Sequence, residues 1–125
     1  MDFKEIMQDS DGKLRIIQEL VPGKQITIAH IIANPDEILY QKLGLDPAKG
    51  YSGAIGIITM SPSETAIIAG DIAIKTSGAE LGFVDRFSGT LIVTGTVSQV
   101  EEALESVCNY CRDKLKFTVC EITKT

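Results

Sequence analysis

The sequence predicts an α+β fold, a mostly antiparallel sheet with helices packed on it. Three observations predict it. Short runs of β-branched and apolar residues recur along the chain. Two sizeable helical patterns separate them. The order over residues 54–123 is β-α-β-β-α-β, ferredoxin-like in outline. The chain has 125 residues, 44% of them hydrophobic, which suits one domain with a real core.

Each element has a local reason. Residues 1–13, "MDFKEIMQDSDGK", are charged and polar and are expected to be a mobile tail. Residues 14–20 are apolar enough for a short strand, which Pro22-Gly23 ends with a turn. "KQITIAHIIA" (24–33) is β-branched on both faces and is expected to be a buried strand. Asn34 is expected to cap a short helix, with Pro35 at its first position and Gly44 ending it. Residues 45–53 are a loop. "AIGIITM" (54–60) is a second buried strand. "SPSE" (61–64) combines a capping box with a helix-starting Pro. That helix is expected to run to Ser77 and stop at Gly78. "AELGFVDR" (79–86) and "TLIVTGTV" (90–97) form a hairpin turned by "FSG". Ser98 and Glu101 form another capping box, opening a helix to Leu115. Val100, Leu104, Val107, Cys111 and Leu115 make its apolar stripe. "FTVCEIT" (117–123) is the last strand.

Composition excludes several functions. The formal charge is −5, with no basic block, so a nucleic-acid partner is not expected. No window approaches the roughly 18 apolar residues a membrane span needs. The N-terminus lacks an apolar signal core, and the three cysteines suit reduced thiols. The expected location is the cytoplasm.

Few residues suggest chemistry. Cys108-Asn109-Tyr110-Cys111 is a CxxC, open to metal or thiol chemistry. Only Cys120 and His30 are available to complete a metal site, and both cysteines lie on or beside the apolar stripe. They fit small buried hydrophobes better. His30 shares a strand face with Ile26, Ile28 and Ile32 and has no acid or nucleophile beside it in the pattern. It is expected to be structural. "GYSGAIG" precedes a strand, not a helix, so it is no phosphate loop. Ala66, Ala69, Gly70 and Ala73 permit close approach to a sheet or another subunit. Asp71 and Lys75 share a helix face as an i,i+4 pair. "VDRFSGTLIV" puts an acid, a base and an aromatic on a hairpin tip, and such tips often carry function.

Taken together, "GAIGIITMSPSETAIIAGDIAIKTSGAELGFVDRFSGTLIVTGTVSQVEEAL" resembles the bacterial microcompartment shell domain. "VPGKQITIAHIIANP" resembles that domain's C-terminal strand but here comes first. The chain is therefore similar to the circularly permuted single-domain class, found in ethanolamine, propanediol and choline utilisation. The resemblance covers residues 14–125, a single permuted shell domain, and leaves 1–13 outside it. It implies a structural role without cofactor or catalysis. The subunit would form homohexamers that tile with other shell proteins around encapsulated enzymes in the cytoplasm.

The resemblance also assigns positions. Lys75 matches the family's edge lysine between rings. Asn34, in Ala33-Asn34-Pro35, stands where the family has the arginine partnering that lysine. Asp85, Arg86, Phe87, Ser88 and Gly89 match the hairpin facing the ring axis. Arg15, Ile16, Ile17, Gln18, Glu19 and Leu20 would form, with 14–23 as strand and turn, a six-copy β-barrel capping the axis. Barrel closure would remove the strand's open edges. Two other classes compete: a ring-forming regulator of ferredoxin-like fold that binds a small molecule, and a thiol- or metal-dependent enzyme using Cys108 and Cys111.

Overall fold

The computed structural model describes residues 23–45 and 53–125. The expected tail 1–13, the strand 14–20 and most of the loop 45–53 lie outside the described residues. The elements are β1 (Gln25–Ala33), α1 (Glu37–Leu43), β2 (Gly53–Ser61), α2 (Thr65–Thr76), β3 (Glu80–Asp85), β4 (Thr90–Thr96), α3 (Val97–Asp113), β5 (Thr118–Val119) and β6 (Thr123–Lys124). The sheet runs β3-β4-β2-β1-β5, and β6 also pairs with β1. Strand β1 thus sits between β2 and β5, the first and last strands of the β-α-β-β-α-β unit. It is antiparallel to β2 and parallel to β5 and β6. The expected α+β architecture is present.

Helices α2 and α3 cover one face of the sheet. Ile26, Ala29, Ile31, Ala54, Ile58, Met60, Leu91 and Val93 meet Ala66, Ala69, Ala73, Val100, Leu104, Val107 and Cys111 there. Gly56 lets α3 close onto β2, since a Cβ there would lie 2.7 Å from both Leu104 and Val100 side chains. The other face is covered only in part. Tyr40 and Leu45, in and just after α1, pack on Ile55 and Ile92. Burial raises the Tyr40 phenol pKa.

Six local expectations are corrected. The cap of α1 is Asp36, whose side chain accepts from Ile38 N–H; Asn34 instead has φ +52 and donates its N–H to Gly53 O. Gly44 does end the helix, in left-handed conformation. "SPSE" forms no capping box: Glu64 is the cap position of α2 and makes no side-chain cap bond. The helix ends at Thr76, and Ser77, not Gly78, turns the chain by bonding Ala73 O and Ala79 N–H. The capping box of α3 is Thr96 with Gln99, two residues before the expected pair. Finally, the last strand is split. β5 and β6 keep one register against β1 but are interrupted at 120–122. The interruption faces the bulge in β1 between Ile26 and Ile28. That bulge also places Ile26 on the helix-covered face, away from Ile28 and His30.

Candidate assembly site

The hairpin tip is built by its own side chains. Asp85 Oδ1 accepts from Phe87 N–H at 2.9 Å, and Oδ2 accepts from the Ser88 hydroxyl at 2.8 Å. Thr90 Oγ1 lies 3.0 Å from the same hydroxyl. Phe87 N–H above all, then Ser88, holds the Asp85 carboxyl below its ordinary pKa. Gly89 closes the turn at φ +76 and donates to Asp85 O, and Met60 N–H donates back to Gly89 O. A Cβ on Gly89 would stand 2.2 Å from Met60 O, so only glycine fits. With Asp85 engaged in the turn, Arg86 and Phe87 are the residues on display. The Arg86 guanidinium lies 4.9 Å from the centre of the Phe87 ring, and Phe87 is 81% exposed. A shallow hollow lined by Ile67, Val84, Asp85, Arg86 and Phe87 joins the tip to α2.

Helix α2 is apolar on both sides. Its buried side carries Ala66, Ala69, Gly70 and Ala73, while Ile67, Ile68 and Ile74 face outward, each about half exposed. Large residues outside and small ones inside invert the usual order of a surface helix. Leu81 and Phe83 on the edge strand β3 are exposed as well. These residues were not singled out in the sequence. The available signal was that "TAIIAGDIAIKT" is apolar all round. Sequence reasoning read its small residues as permitting close approach to a sheet or another subunit, and it is the sheet that Ala66, Ala69 and Ala73 meet; its isoleucines were overlooked.

The remaining expected positions sort by the two ends of the sheet. Gln25 pairs with Ser61, and Thr59 with Thr90, at the hairpin end. The described chain therefore begins, at Gly23, on the same end as Arg86. Asn34 comes after β1 at the other end, beyond the Ala33–Ala54 pair. Lys75 lies in the last turn of α2, which runs to that end. Its ammonium is 2.9 Å from Asp71, and both side chains are well exposed. A pair so solvated contributes little to stability.

The other singled-out residues are structural. Cys108 and Cys111 are buried, as the apolar-stripe reading expects. Burial, with the nearby Cys120 and Cys111 as lesser causes, pushes the Cys108 thiol up to about 11; burial also raises Cys111. Burial thus disfavours the thiolate, the reactive form, at both. His30 lies between two hydroxyls, Nδ1 2.6 Å from Thr123 Oγ1 and Nε2 3.0 Å from Thr125 Oγ1. Among the described residues no group of three or more His, Cys, Asp or Glu could hold a metal ion.

Comparison with known proteins agrees with this geometry. The BMC domain matches residues 54–123. The chain is 54% identical over 114 residues to the bacterial microcompartment shell protein EutS of Salmonella typhimurium, covering 91% of this chain and 99% of the relative. CutR, solved as a flat hexamer, has TM-score 0.78 and 45% identity over 84% of this chain and 94% of its own. A CutR screw gives TM-score 0.76 and 44% identity over 83% and 100%. None of these relatives is a regulatory protein or an enzyme by name. The chain belongs to the BMC-domain family of bacterial microcompartment shell proteins.

Proposed function

We propose that this chain is a structural, non-enzymatic shell subunit that closes into homohexamers and tiles, with other shell proteins, around encapsulated enzymes in the bacterial cytoplasm. The observation that carries the reading is the inverted helix α2, with isoleucines outside and alanines inside. A ring repeats one heterologous contact, which needs two different patches on each subunit. Ile67 and Leu81 supply apolar surface on the helix-covered side; Phe83, which pairs with Ile92, supplies it elsewhere, as do Ile28 and Ile38. The flat hexamers of CutR support a closed ring.

Within that ring, Asp85–Gly89 faces the axis while Lys75 and Asn34 lie at the rim. Their separation onto opposite ends of a sheet about 30 Å long supports this. Residues 14–20 form the six-copy barrel that caps the axis; in support, the described chain begins, at Gly23, on the hairpin end. The order of elements is that of a circular permutation. In support, the BMC match begins only at residue 54, so the leading strand β1 falls outside it.

Size-exclusion chromatography with light scattering tests the assembly. The expected mass is six times the 13.5 kDa chain. A monomer at micromolar concentration overturns the proposal. Electron microscopy then separates a closed ring from a screw, which the same contact gives if each step carries a rise.

A further inference from the structure

Three cysteines remain without a role in assembly. Two of them open into one groove. Between α3 and the 119–122 stretch, Cys108 and Cys120 line a hollow with Glu105, Asn109, Arg112, Glu121 and Ile122. Cys120 is partly exposed and packs on the core cluster that contains Cys108. It sits where the β5–β6 strand is interrupted, outside the β1 ladder, although its N–H still reaches Ile26 O at 3.2 Å. The break leaves Cys120 on the same groove as Cys108 of the neighbouring helix, near enough that its charge disfavours the Cys108 thiolate. Cys111 does not line this groove and is fully buried.

We propose that Cys108 and Cys120 are a dithiol pair that closes to a disulfide when the surrounding thiol pool is oxidised, fastening the interrupted C-terminal strand to α3. The oxidant is a low-molecular-weight disulfide, RSSR. The Cys120 thiolate, the more exposed, attacks one of its sulfurs. The S–S bond breaks, one RS⁻ leaves and takes up a proton, and Cys120 becomes a mixed disulfide. The Cys108 thiolate then attacks Cys120 Sγ and displaces the second RS⁻. Two protein thiols are oxidised and one RSSR is reduced to two RSH. The second step needs the Cys108 thiolate, which burial makes scarce at neutral pH, with a thiol pKa of about 11. Closure therefore speeds up roughly tenfold per pH unit over the neutral to mildly alkaline range.

The test is intact mass and peptide mapping of the assembled protein in oxidised glutathione, across pH 7 to 9. The expected product has lost two hydrogens, joins the Cys108 and Cys120 peptides, and leaves one free thiol. Its thermal midpoint rises on the order of 10 °C. Cys111→Ala closes the same bond, while Cys108→Ser keeps a stable glutathione adduct on Cys120. The proposal fails if the wild type retains that adduct at pH 9, if Cys111 is found in the bond, or if all three thiols stay free.

Discussion

Asp85 shows how a single carboxylate shapes the hairpin. It accepts from Phe87 N–H and from the Ser88 hydroxyl, and both bonds favour its ionised form. The folded-state pKa is lowered, so its contribution is present above the ordinary carboxylate value of about 3.9 and is lost as pH falls through the folded value. Amide exchange at Phe87 and Gly89, tracked on acidification, is expected to quicken below that ordinary value. Asp85→Ala should quicken it at neutral pH. Asp85→Asn, which keeps one acceptor oxygen, should fall between the two and lose the acid dependence. Slow exchange in Asp85→Ala at neutral pH would show that Gly89 and the Met60 bond hold the turn alone. The tip was legible in "DRFSG" as an acid, a base and an aromatic on a turn. That the acid serves the turn and leaves the base on display required the bonds.

At the scale of elements, α2 and α3 carry different information. The α3 stripe was readable because its apolar residues keep to one helical face, and Val100, Leu104, Val107 and Cys111 are buried as expected. Its start was misplaced by two residues. The sequence has two hydroxyl residues with Gln or Glu three positions on, Thr96 and Ser98, and both satisfy the local pattern. Only the end of β4 decides between them, by bringing Thr96 to extended φ/ψ beside Gln99. Thr96→Ala is expected to cost about 1 kcal/mol and Ser98→Ala only a few tenths, measured by denaturant unfolding. For α2, the large outward side chains are expected to serve the ring. Ile67→Glu with Ile74→Glu should leave the circular dichroism of the subunit unchanged and convert hexamers to monomers in light scattering. Hexamers that survive both charges would remove α2 from the contact.

For the whole molecule, what matters is the distance between the hairpin and the end of the sheet that carries Lys75 and Asn34. The described chain begins, at Gly23, on the hairpin end, and deletion of residues 1–20 is expected to leave a folded, hexameric domain with an open axis in electron micrographs. An unfolded subunit would show instead that strand 14–20 belongs to the core. At the other end, Lys75→Ala removes an exposed pair and should change stability by only a few tenths of a kcal/mol. It is expected to keep the hexamer but weaken the packing of rings into sheets, seen as fewer or smaller two-dimensional arrays. Arrays of unchanged extent would mean that the Lys75 side chain is only a solvated partner of Asp71.

The sequence by itself determined the α+β class, the order of elements from β1 to α3, the α3 stripe and the family. Those depend on periodicity and on residue types at fixed spacing, which are local and survive without coordinates. Tertiary structure alone decided the bulge in β1, the split of the last strand, the face on which Ile26 lies and the groove that Cys108 and Cys120 share. A one-residue bulge reverses the faces of the strand residues beyond it, and no local preference of "QITIAHIIA" marks where it falls. Its position is set by the ladders to β2 and to the C-terminal strand together, partners separated from β1 by most of the chain.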